Sequence, residues 1–326
     1  MIVVWRVTEK CNLACSFCSY DRRLQRTRLN ADPAQLRAFG ATLSAFQKCT
    51  GERVLVSWLG GEPLLWEPLS ELTRVYQGEY GLSVSTTTNG TRLDDPVTRK
   101  HLIQHYAELT VSIDGPVTLH DSLRGCAGLF ERLQKNVRRL AAEIASSGRG
   151  PKLRANIILM RTNIAGFADL CHEVASWGIT EICFNQLGGN DRPEFFPENR
   201  LQPEQVEFFR ARLPSLREDL SRRGVRLLGG PGYIERITAS ATGRKIAVDD
   251  CQPGAAFLFI DEGGRVAPCS FTGANYGISV NSLRSVEDLR TLPSVFSKAR
   301  QDARAAGCDD CLSTHVFTKF SHSHGS

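Results

Sequence analysis

Cys11-Asn12-Leu13-Ala14-Cys15-Ser16-Phe17-Cys18 follows the apolar run 2–7 and the polar linker Thr8-Glu9-Lys10. Three thiols at C-x3-C-x2-C spacing on one loop suit three irons of a cubane iron–sulfur cluster, whose fourth iron is then open to a small chelating molecule. A structural zinc site would ask for a fourth Cys or His nearby. His101 and His105 are distant in sequence, and nothing closer qualifies. Three unrelated buried cysteines at this spacing are the remaining alternative. A strand that ends in a ligand-bearing turn is also the opening unit of an α/β fold, where function gathers at the C-terminal ends of the strands.

Outward from this loop, β-rich runs recur at 54–59, 82–87, 109–113, 153–159 and 181–185. Several are nearly continuous in apolar residues, as parallel strands buried on both faces are. Helical patterns at 33–48, 68–80, 96–106, 130–146, 164–177 and 203–223 alternate with them. Pro33, Pro68, Pro96 and Pro203 each suit a first helical turn. Six βα units in succession predict a parallel sheet with helical crossovers. The pattern leaves two closures open, a doubly wound sheet and a curved partial barrel. It changes after Gly229-Gly230-Pro231-Gly232. A short helix follows, then a hairpin over 257–261 and 265–269, then a helix over 293–306. The chain therefore divides into a catalytic domain, residues 1–228, and a small metal-dependent appendage, residues 229–326.

Lys and Arg number 40 against 35 Asp and Glu, a formal charge of +5 without a long basic block, so nucleic acid is not an expected partner. Arg138-Arg139 and Arg222-Arg223 read as solvated helix faces. The opening residues do not fit a signal peptide, and no apolar run of about 18 residues exists, which points to the cytoplasm and away from a membrane. Against that background, 11 cysteines favour metal or redox chemistry over disulfides. The ending carries His322 and His324, a poor metal site.

The first cysteine loop resembles the signature of radical S-adenosylmethionine (SAM) enzymes, including Phe17, the aromatic that this family packs near the adenine. The likeness continues in order along the chain. Trp58-Leu59-Gly60-Gly61-Glu62-Pro63 is similar to the family's GGE motif, which binds the amino group of SAM. Two glycines allow close backbone approach to the ligand, and Glu62 can pair with an ammonium. Thr86-Thr87-Thr88-Asn89-Gly90 resembles the family segment that ends the third strand. Val111-Ser112-Ile113-Asp114-Gly115-Pro116, with His120-Asp121 and Arg124, looks like a stretch common in the SPASM/Twitch branch. The resemblance implies a partial (β/α)6 TIM-like barrel and a site-differentiated [4Fe–4S] cluster on Cys11, Cys15 and Cys18. It further implies SAM contacts from Gly60, Gly61, Glu62, Asn89, Ser112, Asn156 and Asn185, the last beside Gln186 near the adenine.

Cys251, Cys269, Cys308 and Cys311 are enough thiols to close a second cube with no open iron. They are equally a four-cysteine zinc pattern, with C-x2-C at Cys308 and Cys311, and the residues alone leave both readings open. Cys251-Gln252-Pro253-Gly254, the hairpin, Pro268-Cys269 and the final C-x2-C are similar to a Twitch domain, a shortened SPASM fold with one auxiliary cluster. The resemblance thus implies two [4Fe–4S] clusters in all. A full SPASM domain needs more cysteines than these four.

In such enzymes a 5′-deoxyadenosyl radical takes a hydrogen atom from an unactivated carbon, while the protein positions substrate and excludes water. A fully thiolate-bound second cluster favours electron acceptance, hence oxidation of a small-molecule natural-product precursor. An external donor such as flavodoxin or ferredoxin would supply the first electron. A base must lie within reach of the substrate. Asp114 and His120 are candidates, with Arg124 orienting substrate or charge, although Asp114 equally suits a cap of the turn Asp114-Gly115-Pro116. The alternatives are an epimerase, in which Cys126 returns a hydrogen atom, and a ribosomal-peptide maturase. Cys126 reads as easily as an inert loop cysteine, and Cys49, Cys171 and Cys183 as core fillers. Peptide-modifying relatives often carry an N-terminal leader-recognition module, for which a cluster loop so near Met1 leaves no room, so the expectation tilts to a small molecule. The stretch 188–200 reads as a substrate-facing loop or a surface connection.

Overall fold

Strand β1, Ile2–Thr8, has two unlike faces: Val3, Trp5 and Val7 are fully buried, whereas Val4 and Arg6 are half-buried. The apolar face meets helices, as where Trp5 packs edge-on against Phe39 of the helix Pro33–Thr50. In this computed structural model, which describes residues 1–317 and Lys319, the alternation recurs through the next five strands. These are β2 (Leu55–Gly60), β3 (Ser83–Thr88), β4 (Glu108–Ser112), β5 (Lys152–Leu159) and β6 (Glu181–Gln186). Trp58 packs on Tyr76, and Phe184 on Phe167 and Phe209, in the same outward layer. The opposite face carries Ser57, Ser85, Thr87, Thr110, Asn156 and Asn185. The expectation of strands buried among apolar residues on both faces is therefore corrected. One face supports helices and the other lines a cavity of mixed character, to which Ile2, Val4, Leu55 and Leu59 also contribute.

That cavity, of about 490 Å³, is walled by residues of all six strands and also by Arg226, Phe257, His315 and Lys319. A flat sheet could not surround it, so the sheet curves, and the fold is a partial TIM-like barrel rather than a flat, doubly wound layer. β1 to β6 pair in sequence order and in parallel. β7 (Arg226–Leu227) extends the set beyond β6. On the other side β8 (Phe257–Ile260) pairs in parallel with β1, and β9 (Arg265–Ala267) and β10 (Ile278–Ser279) follow as an antiparallel ribbon. The hairpin expected after residue 228 thus exists, and it continues the same sheet. At the strand N-termini, Arg154 bridges Glu108 at 2.9 Å and Glu181 at 2.6 Å.

Local sequence explains most element boundaries. Asp32 and Asp95 accept the backbone N–H of Ala34 and Val97, capping helices that begin at Pro33 and Pro96. Pro68 stands one place earlier than expected, as the cap of Leu69–Arg74, and the helix then passes into a π turn, Val75–Glu79. The helix expected at 293–306 spans Val286–Asp302, because Ser285 and Asp288 form a capping box upstream and Pro293 is accommodated inside. Three helices were not anticipated: Val117–Arg124, between β4 and the helix Leu129–Ser147, and the one-turn helices Phe196–Asn199 and Gly273–Tyr276. No helix is long and apolar enough to cross a membrane among the described residues. His322 and His324 lie outside them.

Candidate functional site

The turn after β1 carries Cys11, Cys15 and Cys18. It folds on itself through Cys18 N–H to Cys15 O at 3.2 Å and Arg22 N–H to Leu13 O at 3.0 Å. Each sulfur faces an N–H: Leu13 N at 3.5 Å from Cys11, Arg124 Nη1 at 3.9 Å from Cys15, and Tyr20 N at 3.4 Å from Cys18. Burial pushes the Cys15 thiol to about 11 and the Cys18 thiol to about 12, and the neighbouring thiols add to the rise. Three neighbouring sulfurs, ringed by donors that favour thiolate, are a donor set suited to iron.

Gly60 and Gly61 are needed here, for a reason other than the one expected from sequence. A Cβ on Gly61 would stand 2.3 Å from the carbonyl oxygen of Lys10, and one on Gly60 would stand 2.5 Å from that of Thr8. The glycines let the Gly-Gly-Glu turn press on the backbone leading into the cysteine loop, fixed by Gly61 N–H to Thr8 O and Glu62 N–H to Lys10 O. Glu62 is fully buried. Its carboxylate accepts Thr88 Oγ1–H at 2.7 Å, Asn89 N–H at 2.6 Å and Leu64 N–H at 3.2 Å. Burial still pushes it up to about 7. Such a carboxylate, bonded to neutral donors, is prepared for a cation. Asn89 closes the group, donating from Nδ2 to Asn12 Oδ1 at 2.9 Å with Cys11 Sγ at 3.8 Å.

Ser112, Asn156 and Cys183 stand side by side in the β4–β5–β6 register. Asn156 Oδ1 accepts from Asn185 Nδ2 at 3.0 Å and from the Cys183 thiol at 3.2 Å, and all three of these residues line the cavity. Cys183 was expected to fill the core; the alternation of β6 instead turns it inward. Lys319 was missed altogether. Its ammonium donates to Asn185 Oδ1 at 2.7 Å, and burial pushes its pKa down. A single Lys near the chain end carries no sequence signal, and only folding brings it to β6.

Asp114, His120, Arg124 and Cys126, expected to act on substrate, lie away from the cavity. Asp114 is fully buried, paired with Arg124, and its Oδ1 accepts the Ile158 N–H at 2.9 Å. His120 is fully buried against Phe130 and accepts the Asp114 N–H at Nδ1, while Nε2 has no partner. Burial, with Arg124 adding, lowers its pKa to about 3. None of Asp114, His120 and Arg124 lines the cavity, and neither do Cys11, Cys15, Cys18, Phe17, Glu62, Asn89 or Ser112. The arrangement argues for positioning rather than proton abstraction. Cys126 sits half-buried in the turn after Arg124, its sulfur accepting from Arg132 Nη2 at 3.0 Å, and it does not line the cavity either. Phe17 is buried, with the Arg124 guanidinium 5.3 Å from its ring centre and Phe195, from the 188–200 stretch, beside it.

The four C-terminal thiols are brought together from separate elements. β9 leads into Cys269, whose sulfur meets Thr272 Oγ1 at 3.2 Å. The short turn Ala306–Cys308 presents Cys308, with Tyr276 OH at 3.9 Å, and Cys311 is fixed by its N–H to Ile246 O. Burial raises the thiols of Cys251 and Cys311, and the other sulfurs of the set add to both shifts. The four therefore lie within the range of charge interaction. Among the described residues, no three His, Cys, Asp or Glu side chains gather tightly enough to hold a single metal ion. Arg6 links the two regions: it pairs with Glu262 of the hairpin turn and stands over both Tyr20 and Phe259.

A family model for the radical SAM superfamily matches residues 5–154. Mycofactocin maturase MftC of Mycobacterium tuberculosis is 23% identical over 323 residues, 95% of this chain and 75% of the relative. The AdoMet-dependent heme synthase of Oleidesulfovibrio alaskensis is 25% identical over 314 residues, 91% of this chain and 74% of the relative. Streptococcus suis SuiB bound to its precursor peptide SuiA shares the fold, with a TM-score of 0.66 at 17% identity over 95% of this chain and 70% of that one.

Proposed function

Because this chain belongs to the radical SAM superfamily, we propose that it is a two-cluster oxidoreductase whose first cluster is held by Cys11, Cys15 and Cys18. When bound, SAM and the cluster supply, with one electron from a flavodoxin- or ferredoxin-like donor, a 5′-deoxyadenosyl radical that removes a substrate hydrogen atom. Glu62 takes the ammonium of SAM, Asn89 orders the cysteine side, and Phe17 packs by the adenine. Ser112, Asn156 and Asn185 serve the ribose, carboxylate and adenine. The chain from residue 229 onward would be a Twitch-type unit in which Cys251, Cys269, Cys308 and Cys311 would hold a second [4Fe–4S] cluster able to accept an electron. The other sulfurs of the set help to raise the Cys251 and Cys311 thiols, which supports the second-cluster reading on which oxidation rests. With Asp114 and His120 committed to a buried network, Lys319 is one of the titratable groups on the cavity wall and bonds to Asn185. Its lowered pKa suits a proton acceptor.

The cavity's volume falls in the range of small-molecule sites, about 300–1,000 Å³, which supports a small-molecule substrate. SuiB with its precursor peptide favours the second reading, in which one residue of a peptide enters this space. Cys183 on the wall favours a redox-neutral variant in which its thiol, rather than that of Cys126, returns a hydrogen atom. Anaerobic reconstitution tests the proposal: about eight irons per chain, 5′-deoxyadenosine on reduction, and a product two hydrogens lighter than the substrate are expected. Protein that takes up zinc in place of iron would end it. Solvent deuterium incorporated without net oxidation, and lost in Cys183→Ala, would select the hydrogen-return variant.

A further inference from the structure

Arg124 is nearly fully buried, and its guanidinium meets three partners at once. Nε and Nη2 lie 2.7 and 2.5 Å from Asp114 Oδ2, Nη1 points at Cys15 Sγ from 3.9 Å, and the group stands over the Phe17 ring. Asp114 is itself held rigidly. Its Oδ1 accepts the Ile158 N–H, its carbonyl accepts Asn163 Nδ2 at 2.7 Å, and its N–H donates to His120 Nδ1. The helix end that presents Arg124 is pinned to the cysteine loop by Ala14 N–H to Arg124 O at 3.2 Å and Ser16 N–H to Leu123 O at 3.1 Å. Gly125, at φ +61°, completes the contact, since a Cβ there would stand 2.8 Å from the carbonyl oxygen of Ala14. Helix and loop therefore move as one body, with a fixed cation beside one sulfur.

A fixed cation in a water-poor site stabilises added negative charge far more than an exposed one does. Reduction of a thiolate-bound cluster adds one electron and breaks no bond, so its potential reads that charge directly. We propose that Arg124 sets the reduction potential of the N-terminal cluster through Cys15, and that Asp114 limits the effect by offsetting part of its charge. The inference rests on the reading of Cys11, Cys15 and Cys18 as cluster ligands. It makes Arg124 and Asp114 positioning residues of opposite sign.

The test is a redox titration of the anaerobically reconstituted full chain without SAM, followed by EPR. SAM added afterwards marks the cluster with the open iron by the signal it perturbs. At a fixed potential, Arg124→Gln lowers the ratio of reduced to oxidised cluster by about tenfold or more. Asp114→Asn raises the ratio, and Arg124→Lys, which keeps the charge, stays near wild type. Unchanged potentials at equal iron content overturn the proposal, as does a shift of Arg124→Gln and Asp114→Asn in the same direction, which a merely structural role would give. If Arg124→Gln takes up no iron, Asp114→Asn decides: a ratio that fails to rise overturns the proposal. Wild-type protein that takes up no iron at the N-terminal site instead overturns the parent reading, a different outcome from an unmoved potential.

Discussion

Glu62 bears a large electrostatic cost in the site. Its carboxyl is raised from 4.5 to about 7 by burial, despite three donors. A carboxyl whose folded pKa exceeds its unfolded one contributes stability that is fully present below about 4.5 and is lost as pH rises through about 7. At about 1.4 kcal/mol per pKa unit, that swing is on the order of 3 kcal/mol in protein without SAM. Thermal unfolding of SAM-free protein should therefore occur at lower temperature at pH 8 than at pH 6, and Glu62→Gln should flatten the difference. SAM, which brings an ammonium, should stabilise more at pH 8 than at pH 6. An undiminished slope in the Gln variant would assign the effect elsewhere. Glu62 was legible because its motif names the residue and the chemistry together. Cys183 was not, because a buried thiol on a strand reads the same whether it faces a helix or a cavity.

At the scale of elements, four prolines marked four helices to within a residue at their starts, since proline acts on the chain within one turn. The helix Val117–Arg124 escaped notice because it has only eight residues and is framed by Pro116 and Gly125, which read as loop punctuation. Its ion pair with Asp114 could not be seen either, since it depends on two turns folding over β4 and β5. The contact between the Gly-Gly-Glu turn and the cysteine loop is as tight as any in the site. Gly61→Ala places a methyl group against the Lys10 carbonyl, which is backbone and cannot swing aside. We expect a loss of about 1–3 kcal/mol of stability and a clear fall in iron retained after reconstitution. Gly78→Ala, where nothing lies within 4 Å, is the control and should keep its iron. Equal iron in both variants would show that the loop tolerates displacement.

For the whole molecule, the order of the six inner strands followed from the βα alternation, but the curvature did not. The inward-facing residues of all six strands, apolar on β1, mixed on β2 and mostly polar beyond, wall one cavity and so reveal it. The parallel pairing of β8 with β1 joins Phe257 to Ile2 across the length of the chain, a contact with no local signature. That pairing fixes the hairpin turn, and so Glu262 and Phe259, against Arg6 and the cysteine loop. Cys11, Cys15 and Cys18 thus follow β1 while Cys269 follows β9 of the same sheet. If the C-terminal set is the acceptor, its loss should uncouple the reaction without stopping radical formation. Cys308→Ser with Cys311→Ser should retain about four of eight irons. SAM cleavage should continue, measured as 5′-deoxyadenosine, while oxidised product falls at least about tenfold, since the substrate radical has nowhere to pass its electron. Oxidised product formed at the wild-type rate would show that these thiols only brace the hairpin, and the acceptor would then have to be the first cluster or an external oxidant.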